Sequence, residues 1–298
     1  MFRGSLPPDA LLAGFLREEK LPSSFTQLAT TWYWPLIQSL AKSIKSNKLA
    51  VIGISGSQGS GKSTLAALIN ATLRDVYKLK TISLSLDDFY LTRSERESLA
   101  HKIHPLFITR GVPGTHDISL ALSVVNQLLE TGTVRIPRFD KAMDDRKPLT
   151  VWDKVEAPVD AIILEGWCLA VPPQSDAELE PPLNILEKTQ DGDSGWRAHV
   201  NKALAEEYTA LFQLIDYLIY LQAPGFAAVK RWRLQQEQKL ASTTTEANHK
   251  IMATEALDYF LQHYQRLTQQ SFNTLPKTAD ITFVLDENQT IVERIDKK

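Results

Sequence analysis

Residues 56–63 read Gly56-Ser57-Gln58-Gly59-Ser60-Gly61-Lys62-Ser63, and this stretch decides the fold. It matches in full the pattern G-x-x-x-x-G-K-[ST] of a phosphate-binding loop. Glycine lets the backbone turn tightly and approach phosphate oxygens without a Cβ in the way, and amides at a helix N-terminus attract an anion. An apolar run over 49–54 precedes the loop and a helical pattern begins near Lys62, which is the context the motif requires.

The loop predicts a site for the phosphates of a nucleotide. We expect Lys62 to reach the β- and γ-phosphates and the Ser63 hydroxyl to ligate Mg²⁺. The rival dinucleotide fingerprint G-x-G-x-x-G is excluded, because Thr64 stands where its third glycine would fall. The predicted nucleotide-binding residues are Gly56, Ser57, Gln58, Gly59, Ser60, Gly61, Lys62, Ser63 and Thr64.

Outward from the loop, short apolar runs alternate with helical patterns. The predicted strands are 49–54, 81–86, 161–164, 215–221 and 281–285. Buried apolar runs that alternate with helices indicate a parallel sheet covered on both faces. The predicted fold class is therefore α/β, a three-layer P-loop NTPase fold with a mainly parallel sheet flanked by helices.

Residues 8–47 show helical spacing of apolar side chains, with Leu36, Ile37 and Leu40 on one face. The sequence predicts an N-terminal helical extension (1–48) packed on the core, followed by a phosphate-loop domain (49–298). Two stretches interrupt the alternation of predicted strands and helices in that domain. Prolines and acids predict a surface excursion over 172–197, and Ser, Thr and Asn predict a mobile polar loop over 241–250.

Composition narrows the class of protein. The 298 residues carry a formal net charge of −2, so no basic field favours nucleic acid or an anionic membrane as a partner. No run approaches the ~20 apolar residues of a membrane span, and the N-terminus has the features of neither a signal nor a transit peptide. Cys168 is the one cysteine, which excludes an intrachain disulfide and predicts an inert packing residue. The expected compartment is the cytoplasm.

Carboxylates follow two of the predicted strands. Asp87 and Asp88 come after the second strand and Glu165 after the third. Ligands of open α/β sheets bind outside the carboxyl ends of the strands, so these acids should face the phosphate loop. Phosphoryl transfer needs one carboxylate to accept the hydroxyl proton and others to hold the metal. We expect Asp87 to be the base and Ser63, Glu165 and Asp87 to hold Mg²⁺; the alternative for Asp87 or Asp88 is an N-cap of the next helix.

Other nucleotide-hydrolysing classes lack their motifs here. None of the 13 glycines has Asp three positions before it, and Asn201-Lys202-Ala203-Leu204 lacks the Asp that closes a guanine-recognition motif. No Gly-Gly pair occurs, which excludes the signature of an ABC-type ATPase. These absences argue against a GTPase and against an ABC-type ATPase.

At this point the motifs resemble a known group, the uridine kinase, phosphoribulokinase and pantothenate kinase superfamily. Within it the sequence is similar to the D-glycerate 3-kinase family. The resemblance covers residues 50–240 and rests on segments 87–92, 109–117, 137–146, 165–167 and 232–237. It departs over 241–275, where a Ser/Thr-rich turn replaces a Gly-rich one.

The resemblance implies a kinase that transfers the γ-phosphoryl group of ATP to a small hydroxy acid, with Asp87 as base. A carboxylate substrate calls for a bidentate cation, and its hydroxyls call for polar partners. The expected substrate-binding residues are Asp88, Tyr90, Arg110, His116, Asp117, Arg138, Asp140 and Arg146. The expected lid near 225–250 brings Arg231 and Arg233 over the transferring phosphate, where positive charge stabilises the transition state.

Two other functions stay open. The chain could phosphorylate a different acceptor, such as a nucleoside, pantothenate or a sugar phosphate. It could also be a nucleotide-dependent regulatory protein with an incomplete acceptor site.

Overall fold

The computed structural model describes residues 7–243 and 254–297. A six-stranded sheet forms its centre, in the order β2-β7-β1-β8-β9-β10, with two small two-stranded sheets beside it. The strands are β1 Val51–Gly56, β2 Thr81–Ser85, β3 Gly132–Ile136, β4 Phe139–Asp140, β5 Asp145–Arg146, β6 Asp153–Ala157, β7 Ala161–Gly166, β8 Tyr217–Gln222, β9 Ile281–Leu285 and β10 Ile291–Asp296. The first five strands in that order are parallel, and β10 is antiparallel to β9.

Helices cover both faces of the sheet. The described helices are α1 Asp9–Glu18, α2 Phe25–Leu28, α3 Trp34–Lys45, α4 Lys62–Asp75, α5 Arg93–Lys102, α6 Ile118–Leu129, α7 Asp176–Leu179, α8 Ile185–Gln190, α9 Gly195–Ala205, α10 Glu207–Phe212, α11 Phe226–Thr243 and α12 Thr254–Thr278. Along β7, Ile162 and Leu164 join the core with α6, α9, α10 and α12. Ala161 and Ile163 join the opposite core with α3, α4 and α11. The chain therefore has the predicted three-layer α/β fold with a mainly parallel sheet.

The residues before β1 are helical, as the spacing predicts. A π-helical turn, Ala29–Tyr33, joins α2 to α3, and Ile37 and Leu40 are almost fully buried. Tyr33 packs edge-on against Phe283 of β9 at a centroid distance of 5.6 Å. These helices share one core with the sheet, while the division into an extension and a second domain stays a prediction.

One prediction about the chain's course needs correction, and a second is not tested. Residues 172–197 are not a surface excursion, since they form α7, α8 and the start of α9, with Leu186 and Trp196 buried. Their charged residues make buried ion pairs, Glu187 with Arg266 at 2.6 Å and Asp191 with Arg197 at 2.8 Å. The pattern of prolines and acids does not reveal this burial, because it does not show that Glu187 and Asp191 are each neutralised by an arginine in the folded chain. The polar loop over 241–250 lies outside the described residues apart from the end of α11.

Strand ends differ by up to two residues from their predicted positions. β7 continues through Glu165 and Gly166, so the predicted metal ligand lies within the strand itself. After β2 the chain forms a 3₁₀ turn, Leu86–Phe89, that contains both acids. Among the described helices, none combines the length and the apolar character needed to cross a bilayer.

Candidate active site

The phosphate loop joins the carboxyl end of β1 to α4, and its turn depends on glycine. Gly59 and Gly61 have φ values of +79° and +88°, in the left-handed region that residues with a Cβ avoid. A Cβ on Gly59 would lie 2.7 Å from Cβ of Trp232 in α11. The loop conformation and the close approach of α11 therefore both require glycine at position 59.

Lys62 and Ser63 start α4 and face Glu165 of the neighbouring strand. The Ser63 hydroxyl donates to Oε1 of Glu165 at 3.1 Å, and Nζ of Lys62 lies 3.8 Å from Oε2. β1 and β7 are hydrogen-bonded neighbours in which Ile54 pairs with Glu165, so the sheet register brings these groups together. The structure thus brings the predicted phosphate-binding lysine and two of the predicted metal ligands into one cluster.

Several polar atoms of this cluster make no hydrogen bond within the described part of the chain. They are the hydroxyls of Ser57 and Ser60, Oε1 of Gln58 and Oε2 of Glu165, all buried. Buried polar atoms are normally paired, so unpaired ones need a ligand or water. Hydroxyls around a helix N-terminus suit phosphate oxygens, and a hydroxyl beside a carboxylate oxygen suits Mg²⁺. The residues present therefore fit Mg²⁺ and the phosphates of ATP.

Asp87 lies at the carboxyl end of β2 with both carboxylate oxygens engaged. Oδ1 accepts from the Tyr90 hydroxyl at 2.8 Å, and Oδ2 accepts from Nζ of Lys141 at 2.6 Å. Burial alone would raise the pKa of Asp87, but the charges of Lys141 and Lys62 outweigh it and hold the pKa well below its usual range. The carboxylate is thus ionised and lies within the electrostatic influence of Lys62.

Asp88 is oriented differently from its neighbour. Its Oδ2 accepts from Nη1 of Arg138 at 2.8 Å, and its Oδ1 accepts from the backbone N–H of Phe139 at 3.1 Å. Nε of Arg138 donates to Asp153 at 2.8 Å. Neither Asp87 nor Asp88 caps the next helix, since the side chain of Thr92 caps α5. Asp88 and Arg138 hold the 138–139 segment against the end of β2.

Tyr90 and His116 form a buried layer beneath Asp87. Their rings stack at a centroid distance of 4.5 Å, and their backbones form an antiparallel bridge. Nδ1 of His116 lies 2.5 Å from the Tyr208 hydroxyl, whose oxygen accepts from the backbone N–H of Gly114. This arrangement favours Tyr208 as donor, which places the imidazole proton on Nε2. Burial lowers the pKa of His116 to about 4, so the ring is neutral near pH 7.

The β4–β5 hairpin brings further charged residues to the acceptor side. Arg110 pairs with Asp144 in the hairpin turn, and its guanidinium lies 5.4 Å from the ring centroid of Phe139. The buried Arg96 also binds Asp144, at 3.0 Å. Asp140 accepts from two backbone N–H groups of the turn, at residues 142 and 143. The guanidinium of Arg110, a predicted substrate-binding residue, is therefore already partly engaged by a carboxylate of the protein itself.

Asp117 and Arg146 connect the hairpin to α6. Oδ1 of Asp117 accepts from the N–H of Leu120 as the N-cap of α6, and its Oδ2 accepts from Arg146 at 3.2 Å. Arg146 also donates to the carbonyl oxygen of Tyr90 at 2.9 Å. Both residues act as supports for the Tyr90 layer in this structure, and their contact with a substrate stays a prediction.

The predicted lid begins at α11, directly against the phosphate loop. Trp232 is buried under Gly59, and its indole N–H donates to the carbonyl oxygen of Glu287 at 2.9 Å. On either side of it, Arg231 pairs with Glu287 and Arg233 pairs with Glu237. In the described part of the predicted lid, Trp232 therefore packs on the loop and each neighbouring arginine is paired with an acid.

Sequence reasoning missed Lys141, Tyr208 and Tyr264 as parts of the site. The Tyr264 hydroxyl donates to the carbonyl oxygen of Arg110 at 2.8 Å, and its ring packs edge-on against Trp167. Tyr208 and Tyr264 belong to helices 90 or more residues from the acceptor loop, with no local motif to indicate them. Lys141 does lie within the quoted segment 137–146, but spacing alone does not reveal that its ammonium reaches Asp87.

Comparisons with known proteins agree with this geometry. The sequence profile of the phosphoribulokinase/uridine kinase family matches residues 51–172. The chain is 34% identical over 254 residues to the uncharacterized kinase mug58 of Schizosaccharomyces pombe, covering 80% of this chain and 88% of that protein. It is 32% identical over 200 residues to the chloroplastic D-glycerate 3-kinase of Arabidopsis thaliana, covering 63% of this chain and 41% of that protein. A solved D-glycerate 3-kinase from Cryptococcus neoformans superposes with a TM-score of 0.68 at 25% identity, covering 88% of this chain and 99% of that one.

Proposed function

This chain belongs to the phosphoribulokinase/uridine kinase family of P-loop kinases, and we propose that it phosphorylates D-glycerate to 3-phosphoglycerate with ATP. The observation that carries the proposal is the position of Asp87, an ionised carboxylate held by Tyr90 and Lys141 within the electrostatic reach of Lys62. A base beside the phosphate loop is what direct transfer to a hydroxyl needs. The likeness to two proteins named D-glycerate 3-kinase supports the choice of acceptor.

In the proposed reaction the acceptor hydroxyl lies between Asp87 and the γ-phosphorus. The hydroxyl oxygen forms a bond to phosphorus while the bond to the β,γ-bridging oxygen breaks, and ADP leaves with the bonding electrons. The hydroxyl proton passes to a carboxylate oxygen of Asp87. Lys62 and the loop amides hold the phosphates in line, which supplies most of the catalysis in this class of reaction.

Ser63 and Glu165 would hold Mg²⁺ beside the phosphates, and the ion would supply positive charge that neutralises the phosphate oxygens. Arg231 and Arg233 would exchange Glu287 and Glu237 for the transferring phosphate. The lid would also exclude water from the site, so that ATP is not hydrolysed instead.

A carboxylate acceptor fits the charges on the other side of Asp87. Lys141 and Arg110 both lie there, and the neutral His116 carries a buried Nε2 without a partner within the described residues. A cation for the carboxylate and a hydrogen-bond donor for a hydroxyl match the two ends of glycerate. A nucleoside would need apolar and stacking surface in place of this cation.

The test is coupled ADP release with Mg·ATP over a panel of D-glycerate, L-glycerate, pantothenate, uridine and ribulose 5-phosphate. We expect a response to D-glycerate that disappears in Lys62→Ala. A response to another acceptor would retain the kinase and reject the substrate. ATP binding without a response to any acceptor would favour the regulatory alternative.

A further inference from the structure

The tip of the β4–β5 hairpin places an ammonium group directly on the proposed base. Nζ of Lys141 lies 2.6 Å from Oδ2 of Asp87, while the Tyr90 hydroxyl occupies Oδ1 at 2.8 Å. A base must offer an oxygen to the acceptor hydroxyl. Each oxygen can still accept one more hydrogen bond, but the ammonium in contact with Oδ2 lowers the proton affinity of the carboxylate, so Asp87 becomes a stronger base when a partner leaves.

Lys141 is the partner that can leave. Tyr90 is 4% exposed and fixed by its stacked His116 ring, whereas the side chain of Lys141 is 61% exposed. Lysine carries a mobile point charge on a flexible stem, so its exposed ammonium can rotate away when another anion binds it. The backbone of the hairpin turn is pinned, because Arg96 and Arg110 both bind Asp144. Release therefore requires a rotation of the lysine side chain and no movement of the hairpin.

The ion-pair partners of the neighbouring arginines indicate what kind of ligand displaces Lys141 from Asp87. Arg138 is held by Asp88 and Asp153, Arg110 by Asp144, and Arg146 by Asp117. The carboxylate partners of these arginines belong to the supporting structure. The carboxylate partner of Lys141 is the base itself, so an anion that competes for Lys141 changes the state of the base.

We propose that Lys141 makes the enzyme selective for anionic acceptors, because the acceptor's own carboxylate draws the ammonium away from Asp87 and frees the base for the acceptor hydroxyl. This inference rests on the proposed function, since it concerns the same transfer from ATP. The freed Oδ2 receives the hydroxyl proton as the new bond to phosphorus forms and ADP departs. A neutral molecule, water included, leaves Lys141 on Asp87, so the same contact suppresses hydrolysis of ATP while no acceptor is bound.

The first measurement compares D-glycerate with glyceramide, a neutral amide that keeps both hydroxyls. We expect wild-type kcat/KM to favour D-glycerate and Lys141→Met to reduce that preference by about 10- to 100-fold, the range of a hydrogen bond to a charged group. Lys141→Arg should restore part of the preference. Lys154→Met removes an exposed lysine on β6, outside the site, and should leave the preference unchanged. An unchanged preference in Lys141→Met, with D-glycerate still active, would overturn the proposal.

The second measurement is ADP release from Mg·ATP without an acceptor. We expect Lys141→Met to raise it several-fold and the double variant Lys141→Met/Asp87→Asn to return it to the wild-type level. This readout does not depend on which acceptor the enzyme uses. A raised rate with no response to D-glycerate would reject the acceptor and keep the role of Lys141; an unchanged rate together with an unchanged preference would reject Lys141 and keep the acceptor.

Discussion

The nucleotide side and the acceptor side of the cleft are held in place by different kinds of interaction. The phosphate loop owes its shape to eight consecutive residues, in which two glycines adopt positive φ and the backbone turns into α4. The acceptor side is joined by ion pairs between distant residues, such as Arg138 with Asp88 and Arg110 with Asp144. Local backbone geometry builds one side, and long-range charge pairing builds the other.

This difference explains how each side could change in evolution or by design. A loop fixed by backbone conformation tolerates few substitutions, and it binds phosphates common to every nucleotide. A surface fixed by charged side chains can be rebuilt by exchanging pairs, which changes the molecule it accepts. The two sides meet at Asp87, which is influenced by Lys62 from the loop and by Lys141 from the hairpin.

Asp87→Asn should have the largest effect, because it removes the base at this meeting point. We expect turnover to fall ~10²–10⁴-fold, the usual contribution of general-base catalysis. Calorimetry of ATP binding without Mg²⁺ should show no loss of affinity, since Asp87 lies outside the phosphate loop and is expected to contact only the metal and the acceptor. Asp88→Asn is the matched control, and its main effect should be on the KM for the acceptor through the 138–139 segment. A nearly wild-type rate for Asp87→Asn would move the base to Asp88 or remove it.

His116→Asn should have the next largest effect, on the pH dependence of stability. Burial lowers the pKa of His116 to about 4 from an ordinary 6.5, so between these values the unfolded chain binds a proton that the folded chain does not. The free energy of unfolding therefore falls as pH falls through this window, by about 2 kcal/mol between pH 7 and pH 5 for this group. Asn keeps a hydrogen-bond acceptor for Tyr208 and does not titrate. The variant should therefore lose the part of the pH dependence of the unfolding free energy that His116 contributes.

Urea unfolding of the wild type and of His116→Asn at pH 7 and pH 5 measures this contribution of His116. Burial also lowers the pKa values of His199 and His263, and their contribution is common to both proteins. The difference between the two pH dependences thus isolates His116. Identical pH dependences would contradict a buried, neutral His116 on the acceptor side.

The contrast between the two sides also explains which features of the molecule can be predicted from the sequence. The parallel sheet is confirmed in the structure, and Lys62, Ser63 and Glu165 lie together at its edge, because each depends on a local pattern at a strand end. The roles of these three residues toward ATP and Mg²⁺ stay predictions. β10 escaped prediction since its single buried apolar residue at the start, Ile291, gives only a weak strand pattern. The small β4–β5 hairpin consists of two-residue strands, which are too short to show the alternation of apolar and polar residues that predicts a strand.

The partners of the charged residues could not be predicted for a different reason. Arginines in a loop indicate a carboxylate, but a sequence does not distinguish a substrate carboxylate from one of the protein's own. Arg138 illustrates this, since its two carboxylate partners are 50 and 15 residues away. Pairing over such distances depends on the completed fold, so the ligand contacts of Arg138 and Arg146 remain predictions.

Gly59→Ala tests the backbone origin of the nucleotide side. A residue with a Cβ pays roughly 1–2 kcal/mol in the left-handed region, and this Cβ would also press on Trp232. We expect ATP affinity to fall about tenfold, with the acceptor KM at saturating ATP unchanged. Gly14→Ala is the control, because Gly14 lies in α1 with open space around it and should gain stability. Equal ATP affinity in Gly59→Ala and wild type would mean that the loop does not depend on this conformation.

Arg138→Met and Asp88→Asn, made singly and together, give the smallest effect and the finest test of the acceptor side. The guanidinium of Arg138 is about one-third exposed, so its pair with Asp88 should couple the two substitutions by about 0.5–1 kcal/mol in unfolding free energy. If Arg138 supports the segment and does not touch the acceptor, Arg138→Met should raise the acceptor KM only a few-fold. Since Asp153 also binds Arg138, part of the support should survive in Asp88→Asn. A loss of acceptor affinity beyond a hundredfold in Arg138→Met, with no coupling to Asp88, would identify Arg138 as a direct ligand of the substrate. Ion pairs within the protein would then account for less of the structure of the acceptor side.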